Sequence, residues 1–107
     1  MANMIQMMQK ASQMKQKMQE IQARVQLTEV TGEAGGGLVK CRSNGRFELK
    51  SLKVDASLIR PEAADVMEDL IVAAVNDARQ KAEKLMGDET RKMMTDMGLP
   101  PGIDLPF

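Results

Sequence analysis

The chain has 107 residues, of which 43% are hydrophobic and 28% charged, with 15 basic and 15 acidic side chains and no histidine. A chain of this length is expected to form one domain, and without histidine it lacks the commonest general base and metal ligand. Its single cysteine, Cys41, excludes an internal disulfide and a cysteine-based zinc site. We therefore predict a protein that is not an enzyme, has no cofactor or bound metal, and buries Cys41 as a small apolar residue.

The charges are distributed unevenly along the chain. Residues 1–27 have a net charge of +3, residues 28–60 of +2, and residues 61–107 of −5. No stretch has the 18 or more consecutive apolar residues of a membrane span, and the first twenty residues do not resemble a signal peptide. A lone thiol fits a reducing compartment. We therefore expect a cytoplasmic protein that makes no contact with a membrane.

The first element in chain order is a helix of about 24 residues. Apolar residues recur there at alternating intervals of three and four, which is the a/d pattern of a heptad. Glutamine, lysine and methionine between them favour a helix. The apolar positions are Met4, Met7, Ala11, Met14, Met18, Ile21 and Val25.

Three strands are predicted next. Alternation and β-branched residues indicate strands at 27–33 and 38–43, separated by a glycine turn at 34–37. The dipeptide Asn44-Gly45 is typical of a two-residue type I′ hairpin turn, in which both residues have positive φ. A third strand is predicted to begin at Arg46, with Phe47 and Leu49 facing inward. A shift in its apolar phase indicates a β-bulge near Ser51.

A second long helix is predicted to begin near Pro61, which suits a first helical turn, and to extend to about Met97 with a possible interruption at Gly87. Residues 98–107 are rich in proline and are predicted to be extended. The predicted fold class is α+β, with the order α-β-β-β-α and a three-stranded antiparallel meander flanked by two long helices. Residues 1–97 would form a single domain, and residues 98–107 a C-terminal tail.

The predicted helices are much longer than the predicted sheet, which suggests a homodimer. A helix of about 24 residues is roughly 36 Å long, whereas the strands are roughly 20 Å long. Apolar residues continue beyond the expected end of the sheet, and exposed apolar patches usually mark an interface. We predict that the sheets join centrally and that helix pairs project from them. The residues predicted to form the core or the dimer contact are Met4, Met7, Met14, Met18, Ile21, Leu70 and Ala74.

Two groups of basic residues are candidate binding sites. Lys10, Lys17 and Arg24 share one heptad position of the first helix, with Lys15 on the other side of the apolar seam. They would either follow a row of phosphates or pair with acids of the second helix. The second group lies on the strands and would bind an anion or form a solvated sheet face. The acids considered as partners are Glu62, Asp65, Glu68, Asp69 and Asp77, and the strand group is Lys40, Arg42, Arg46, Lys50 and Lys53.

Several segments together resemble a known family. These are the methionine-rich heptad helix, residues 30–40 (VTGEAGGGLVK), the Asn44-Gly45 turn, residues 67–78 (MEDLIVAAVNDA) and residues 98–107 (GLPPGIDLPF). In this combination and spacing the chain resembles the YbaB/EbfC family of bacterial nucleoid-associated proteins over essentially its whole length. No single segment would be sufficient for this identification.

The resemblance implies a tweezer-shaped cytoplasmic homodimer that binds double-stranded DNA, associates with the nucleoid, and influences chromosome organisation and gene expression. Family DNA contacts are attributed to charged residues on the projecting helices, which would assign Lys10, Lys15, Lys17 and Arg24 to DNA binding. The alternative is a dimeric adaptor that binds a protein partner through its methionine-rich helix, without direct contact with DNA. Under that hypothesis the basic helix is paired internally with the acidic one.

Overall fold

The structure is a computed structural model that describes residues 3–98. Its element order confirms the predicted α-β-β-β-α arrangement. Two short 3-10 turns, Ala56–Leu58 and Pro61–Ala63, join the last strand to the second helix. The predicted C-terminal tail lies outside the described residues, apart from Gly98. The elements are α1 (Asn3–Leu27), β1 (Glu29–Ala34), β2 (Val39–Asn44), β3 (Leu49–Val54) and α2 (Ala64–Asp96).

The three strands form an antiparallel sheet in the order β1-β2-β3. Between β2 and β3, Ser43 pairs with Leu49 whereas Arg42 pairs with Ser51, so that Lys50 has no partner in the register. This is a β-bulge one residue from the predicted position, and it confirms the prediction. The bulge lets the chain place Leu49 and Leu52 on the same face of β3 although they are three residues apart.

The predicted type I′ turn at Asn44-Gly45 is wrong. Asn44 is the last residue of β2, and the residue with positive φ is Phe47 (59°). The Asn44 carbonyl accepts the Phe47 N–H at 3.1 Å, and its side-chain Oδ1 accepts the N–H groups of Arg46 and Glu48 at 3.0 Å each. This is a three-residue loop, a tight turn followed by one left-handed residue. The Asn44 side chain therefore organises a longer loop than the dipeptide signal predicts.

The strand ends consequently differ from the predicted ones. Leu27 belongs to α1, so β1 begins at Glu29, and β3 begins at Leu49 instead of Arg46. Phe47 packs against the core as predicted, but Leu49 remains 49% exposed. The reason is that α2 contacts β1 and β2 and leaves the inner face of β3 largely uncovered.

The first half of α2 packs very closely on the sheet because the contact residues are small. Ala74 and Ala78 are completely buried, and a Cβ added to Gly32 of β1 would lie 2.2 Å from the Ala74 carbonyl oxygen. Cys41 is buried, as predicted, and its thiol donates a hydrogen bond to the same oxygen at 3.3 Å. Close backbone contact between helix and strand thus defines this part of the core.

The second half of α2 leaves the sheet and packs against α1, forming a separate apolar cluster. Gly45 joins the two regions, because its N–H bonds to the Val25 carbonyl at 2.8 Å and an added Cβ would lie 2.8 Å from Leu85. The helix continues through Gly87 without a break. The chain is elongated, with principal extents of 71 × 23 × 17 Å. The cluster consists of Met18, Ile21, Val25, Met93 and Met94.

One carboxylate ties α2 to the edge of the sheet. Asp77 accepts the backbone N–H of Glu33 at 3.0 Å and pairs with Lys81 Nζ at 3.1 Å. The backbone hydrogen bond, together with the bond from Lys81, holds the pKa of Asp77 below its ordinary value of 3.8.

This contact predicts a pH-dependent stability. A carboxyl whose pKa is lower in the folded than in the unfolded state stabilises the fold above its unfolded pKa, and the contribution is lost as pH falls through the folded pKa. We expect the Asp77→Asn variant to have a lower Tm than the unaltered chain near neutral pH. The difference in Tm between the two should become smaller below about pH 4. Thermal melts followed by circular dichroism from about pH 7 to 2 test this. A constant difference would show that ionisation of Asp77 is not involved.

Candidate nucleic-acid interface

The N-terminal turns of α1 extend beyond the end of α2. Because the helices run antiparallel, Val25 lies near Leu85 and Met18 near Met93, so residues before about Met14 have no described helix beside them. Lys10 and Lys15 are exposed, and residues 3–16 contain no acid. Residues 3–16, which comprise this projection and Lys15 at its base, therefore have a net charge of +2.

The remaining part of α1 faces a groove of mixed charge. Three acids and three bases surround Ile21 and Met93 there, so the groove has no net charge. Arg24 Nη2 donates to Glu89 Oε2 at 2.7 Å, and the two side chains are 59% and 22% exposed. No ion pair involves Lys10, Lys15 or Lys17 within residues 3–98. The charged groove residues are Lys17, Glu20, Arg24, Glu89, Lys92 and Asp96.

The sequence did not identify Glu89 as the partner of Arg24. The acids proposed for that role precede Ala78 in the chain, in the half of α2 that covers the sheet or just before it, whereas α1 contacts the other half. Asp77, one of those acids, instead bonds to Lys81 and to the Glu33 backbone. Heptad spacing predicts which face of α1 packs against another element, but it does not predict where α1 lies along α2. That alignment depends on the contact between Gly45 and Val25.

The Arg24–Glu89 pair gives a prediction that separates structural from binding bases. Arg24→Gln should lower the free energy of unfolding by about 0.5–1 kcal/mol, the upper range for a partly exposed ion pair. Lys10→Gln should leave it unchanged. Urea melts of both variants measure these effects. Melts of Glu89→Gln and of Arg24→Gln/Glu89→Gln complete a double-mutant cycle, which gives the coupling energy between Arg24 and Glu89. Equal effects of the two substitutions would contradict the assignment of Arg24 to a structural contact.

The residues predicted for the core or dimer contact fall into three groups. Met18, Ile21 and Ala74 are buried. Met14 and Leu70 are half-buried. Met4 and Met7 are 74% and 69% exposed, on the projecting turns of α1.

The second basic group is brought together by the sheet. Lys40 and Arg42 alternate with buried residues along β2, and Lys53 pairs directly with Lys40 from β3. Lys50 is the exposed bulge residue, while Arg46 lies in the hairpin loop. Arg42 Nε donates to Ser51 Oγ at 3.0 Å and its guanidinium lies 3.6 Å from Glu29.

Neither described helix is long and apolar enough to cross a membrane. Within residues 3–98, no group of three or more histidine, cysteine, aspartate or glutamate side chains is placed to hold a metal ion.

The described residues form a small α+β fold with two groups of exposed bases, and comparison with known proteins gives its family. The model of the YbaB/EbfC DNA-binding family matches residues 1–97, and the chain belongs to this family. Its predicted identification is thereby confirmed. It is thus a member of a DNA-binding family of nucleoid-associated proteins.

Relatives named as nucleoid-associated proteins match over the full chain. Those of Rhodospirillum centenum and Mesorhizobium japonicum are 49% and 42% identical over 107 residues, and the matches cover all of both chains. Among solved structures, an uncharacterized protein of Helicobacter pylori (HP0035) matches with a TM-score of 0.74 and 27% identity. That match covers 83% of this chain and 94% of the other.

Proposed function

We propose that the protein binds double-stranded DNA as a homodimer, largely through electrostatic contacts with the phosphate backbone. Family membership supports DNA as the partner. The observation that most supports the manner of binding is the projecting end of α1, where Lys10 and Lys15 are exposed in a segment without acids. Lys17 follows on the same helix. Arg24 retains 59% exposure beside Glu89, so it can contribute a further contact.

Binding of this kind releases counterions from DNA and depends steeply on salt. Two copies of α1 in a dimer would present two basic projections to the duplex. Two phenylalanines are the whole aromatic content of the chain, which disfavours recognition of single strands by base stacking. We infer a protein that acts at the nucleoid in the cytoplasm, where backbone binding would influence chromosome organisation and gene expression.

The uncovered face of β3 supports the homodimer. Leu49 and Leu52 are 49% and 48% exposed on the side of the sheet where α2 lies, because α2 does not extend over β3. A second copy placed against β3 would bury these leucines and leave the α1 projections at the outer ends. Met4 and Met7, exposed on those projections, are the other predicted contact residues.

The alternative is a dimeric adaptor that binds a protein partner and not DNA. Two observations favour it: the Arg24–Glu89 pair neutralises one predicted DNA-binding base, and the methionines of the projecting turns are exposed. Methionine-rich surfaces adapt readily to partner helices.

The test is a fluorescence anisotropy titration of two labelled duplexes of unrelated sequence at about 50 and 200 mM salt, with the mass measured by light scattering. We expect a mass of twice 11.8 kDa. Affinities should be similar for the two duplexes and fall by roughly threefold for each phosphate contact between these salt concentrations. Absence of binding at low salt would contradict the proposed function and favour the adaptor.

A further inference from the structure

We propose that the exposed face of the sheet, formed by Lys40, Arg42, Lys50 and Lys53, is a second surface that binds the phosphate backbone of duplex DNA. We call it the basic sheet face. The proposal rests on the proposed DNA binding and adds a contact surface away from the helices.

The register of the sheet concentrates these four charges. Lys40 and Arg42 lie two residues apart on β2, about 7 Å along the strand, and both are exposed. Lys53 stands directly opposite Lys40, and the bulge adds Lys50 beside Ser51. The sequence places these residues within fourteen positions, but only the antiparallel pairing brings two strands of bases side by side.

The basic sheet face is less compensated than the groove along α1. The acids on the same side of the sheet, Glu29 and Glu33, belong to β1, and β2 and β3 contain no acidic residue. Of these four bases, Arg42 is the only one that makes an ion pair within residues 3–98. Its Nη1 lies 3.6 Å from Glu29 Oε2. Its bond to Ser51 also fixes the guanidinium on the face. The other three bases make no ion pair within residues 3–98, although Lys40 lies directly opposite Glu33 of β1.

Protection of a sheet edge does not explain the whole group. Lysines on an edge strand commonly prevent pairing with other chains, and this would account for Lys50 and Lys53 on β3. Lys40 and Arg42, however, lie on the central strand β2, which has a partner on both sides. Lys40 stands between Glu33 of β1, an opposite charge, and Lys53 of β3, a like charge, so Glu33 compensates Lys40 and leaves Lys53 without a cross-strand acid. Four bases against two acids leave this face with an excess of positive charge, which suits an anionic partner.

The two basic surfaces are far enough apart to act independently. Lys10 lies fifteen residues, or roughly 22 Å of helix, from Val25, where α1 contacts the hairpin. Lys40 lies a further four residues along β2 from the hairpin. These separations exceed the Debye length of about 10 Å at 0.1 M salt. Substitutions on one surface should therefore leave the phosphate contacts of the other unchanged.

The test compares Lys40→Gln/Lys53→Gln with a matched control, Lys84→Gln/Arg91→Gln, which removes two exposed bases from α2. DNA affinity of the full-length protein is measured at several salt concentrations, with thermal melts of each variant. We expect the sheet variant to reduce the slope of log K against log salt by about 0.9 for each phosphate that it no longer neutralises, up to about 1.8. The control should retain the slope. The sheet variant should melt close to the unaltered chain, because it removes both the repulsion between Lys40 and Lys53 and the attraction between Lys40 and Glu33.

Lysine acetylation followed by mass spectrometry gives a second measurement that needs no variant. Bound DNA should reduce acetylation of Lys40 and Lys53 several-fold and leave Lys84 unchanged. DNA binding with an unaltered slope and unprotected Lys40 would overturn the basic sheet face alone. An equal loss in the control would also overturn it, because net charge would then explain the effect. Absence of DNA binding by the unaltered chain would overturn this proposal together with the proposed function.

Discussion

Replacing Gly32 by alanine is expected to lower the free energy of unfolding by about 3 kcal/mol or more. The added Cβ would lie 2.2 Å from the Ala74 carbonyl oxygen and 2.5 Å from the Ala78 nitrogen. Both are backbone atoms, so no side-chain rotation relieves the contact, and α2 must move away from β1. That movement would also lengthen the bond from the Cys41 thiol to Ala74. For a domain of this size the effect corresponds to a fall in Tm of more than about 12 °C.

The matched control is Gly87→Ala. Gly87 lies inside α2 with open space around its Cα, so an added Cβ meets no atom within 4 Å. Alanine there should raise stability by roughly 0.4–1 kcal/mol, because it reduces the freedom of the unfolded chain and favours the helix. Melts are made at one protein concentration, since dimerisation would make Tm concentration-dependent. Similar Tm values for the two variants would contradict the close packing of α2 on β1.

The periodic parts of the fold could be predicted because each depends on local pattern. The heptad from Met4 to Val25 and the apolar stripe along α2 each indicate a helix, and the phase shift near Ser51 indicates a bulge. All three signals come from residues that are close together in the chain. The hairpin was wrong for the opposite reason. Asn44-Gly45 favours a two-residue turn locally, but Gly45 is needed where the loop meets Val25 and Leu85. A tertiary contact therefore determines the use of that glycine.

The candidate site also contains some features that local sequence predicts and others that depend on tertiary contacts. Sequence spacing placed Lys10, Lys15 and Lys17 beside the apolar seam of α1, where all three are exposed, but it could not show that Arg24 would meet Glu89 across the groove. The alignment of two helices depends on where each is anchored to the sheet. Likewise, Lys40 and Lys53 are thirteen residues apart in the chain, and the register alone makes them neighbours.

The DNA-binding assignment on α1 gives the second large effect. Replacing Lys10, Lys15, Lys17 and Arg24 together by glutamine should weaken binding to duplex DNA by about tenfold or more at 50 mM salt. The slope of log K against log salt should fall by about 0.9 for each phosphate that the variant no longer neutralises. Glutamine retains helix propensity, so α1 should persist. Anisotropy titrations measure affinity, and light scattering verifies that the mass is unchanged.

Substituting these four bases in two pairs shows which part of α1 contacts DNA. Lys10→Gln/Lys15→Gln alters the projecting segment that contains no acid, whereas Lys17→Gln/Arg24→Gln alters the neutral groove and breaks the Arg24–Glu89 pair. We expect the first variant to lose most of the affinity at unchanged Tm, and the second to lose stability. Lys84→Gln/Arg91→Gln removes the same charge from α2 and serves as control. If the fourfold variant melts lower but binds DNA as before, these bases stabilise the helix pair, and the adaptor hypothesis or the basic sheet face must account for the partner.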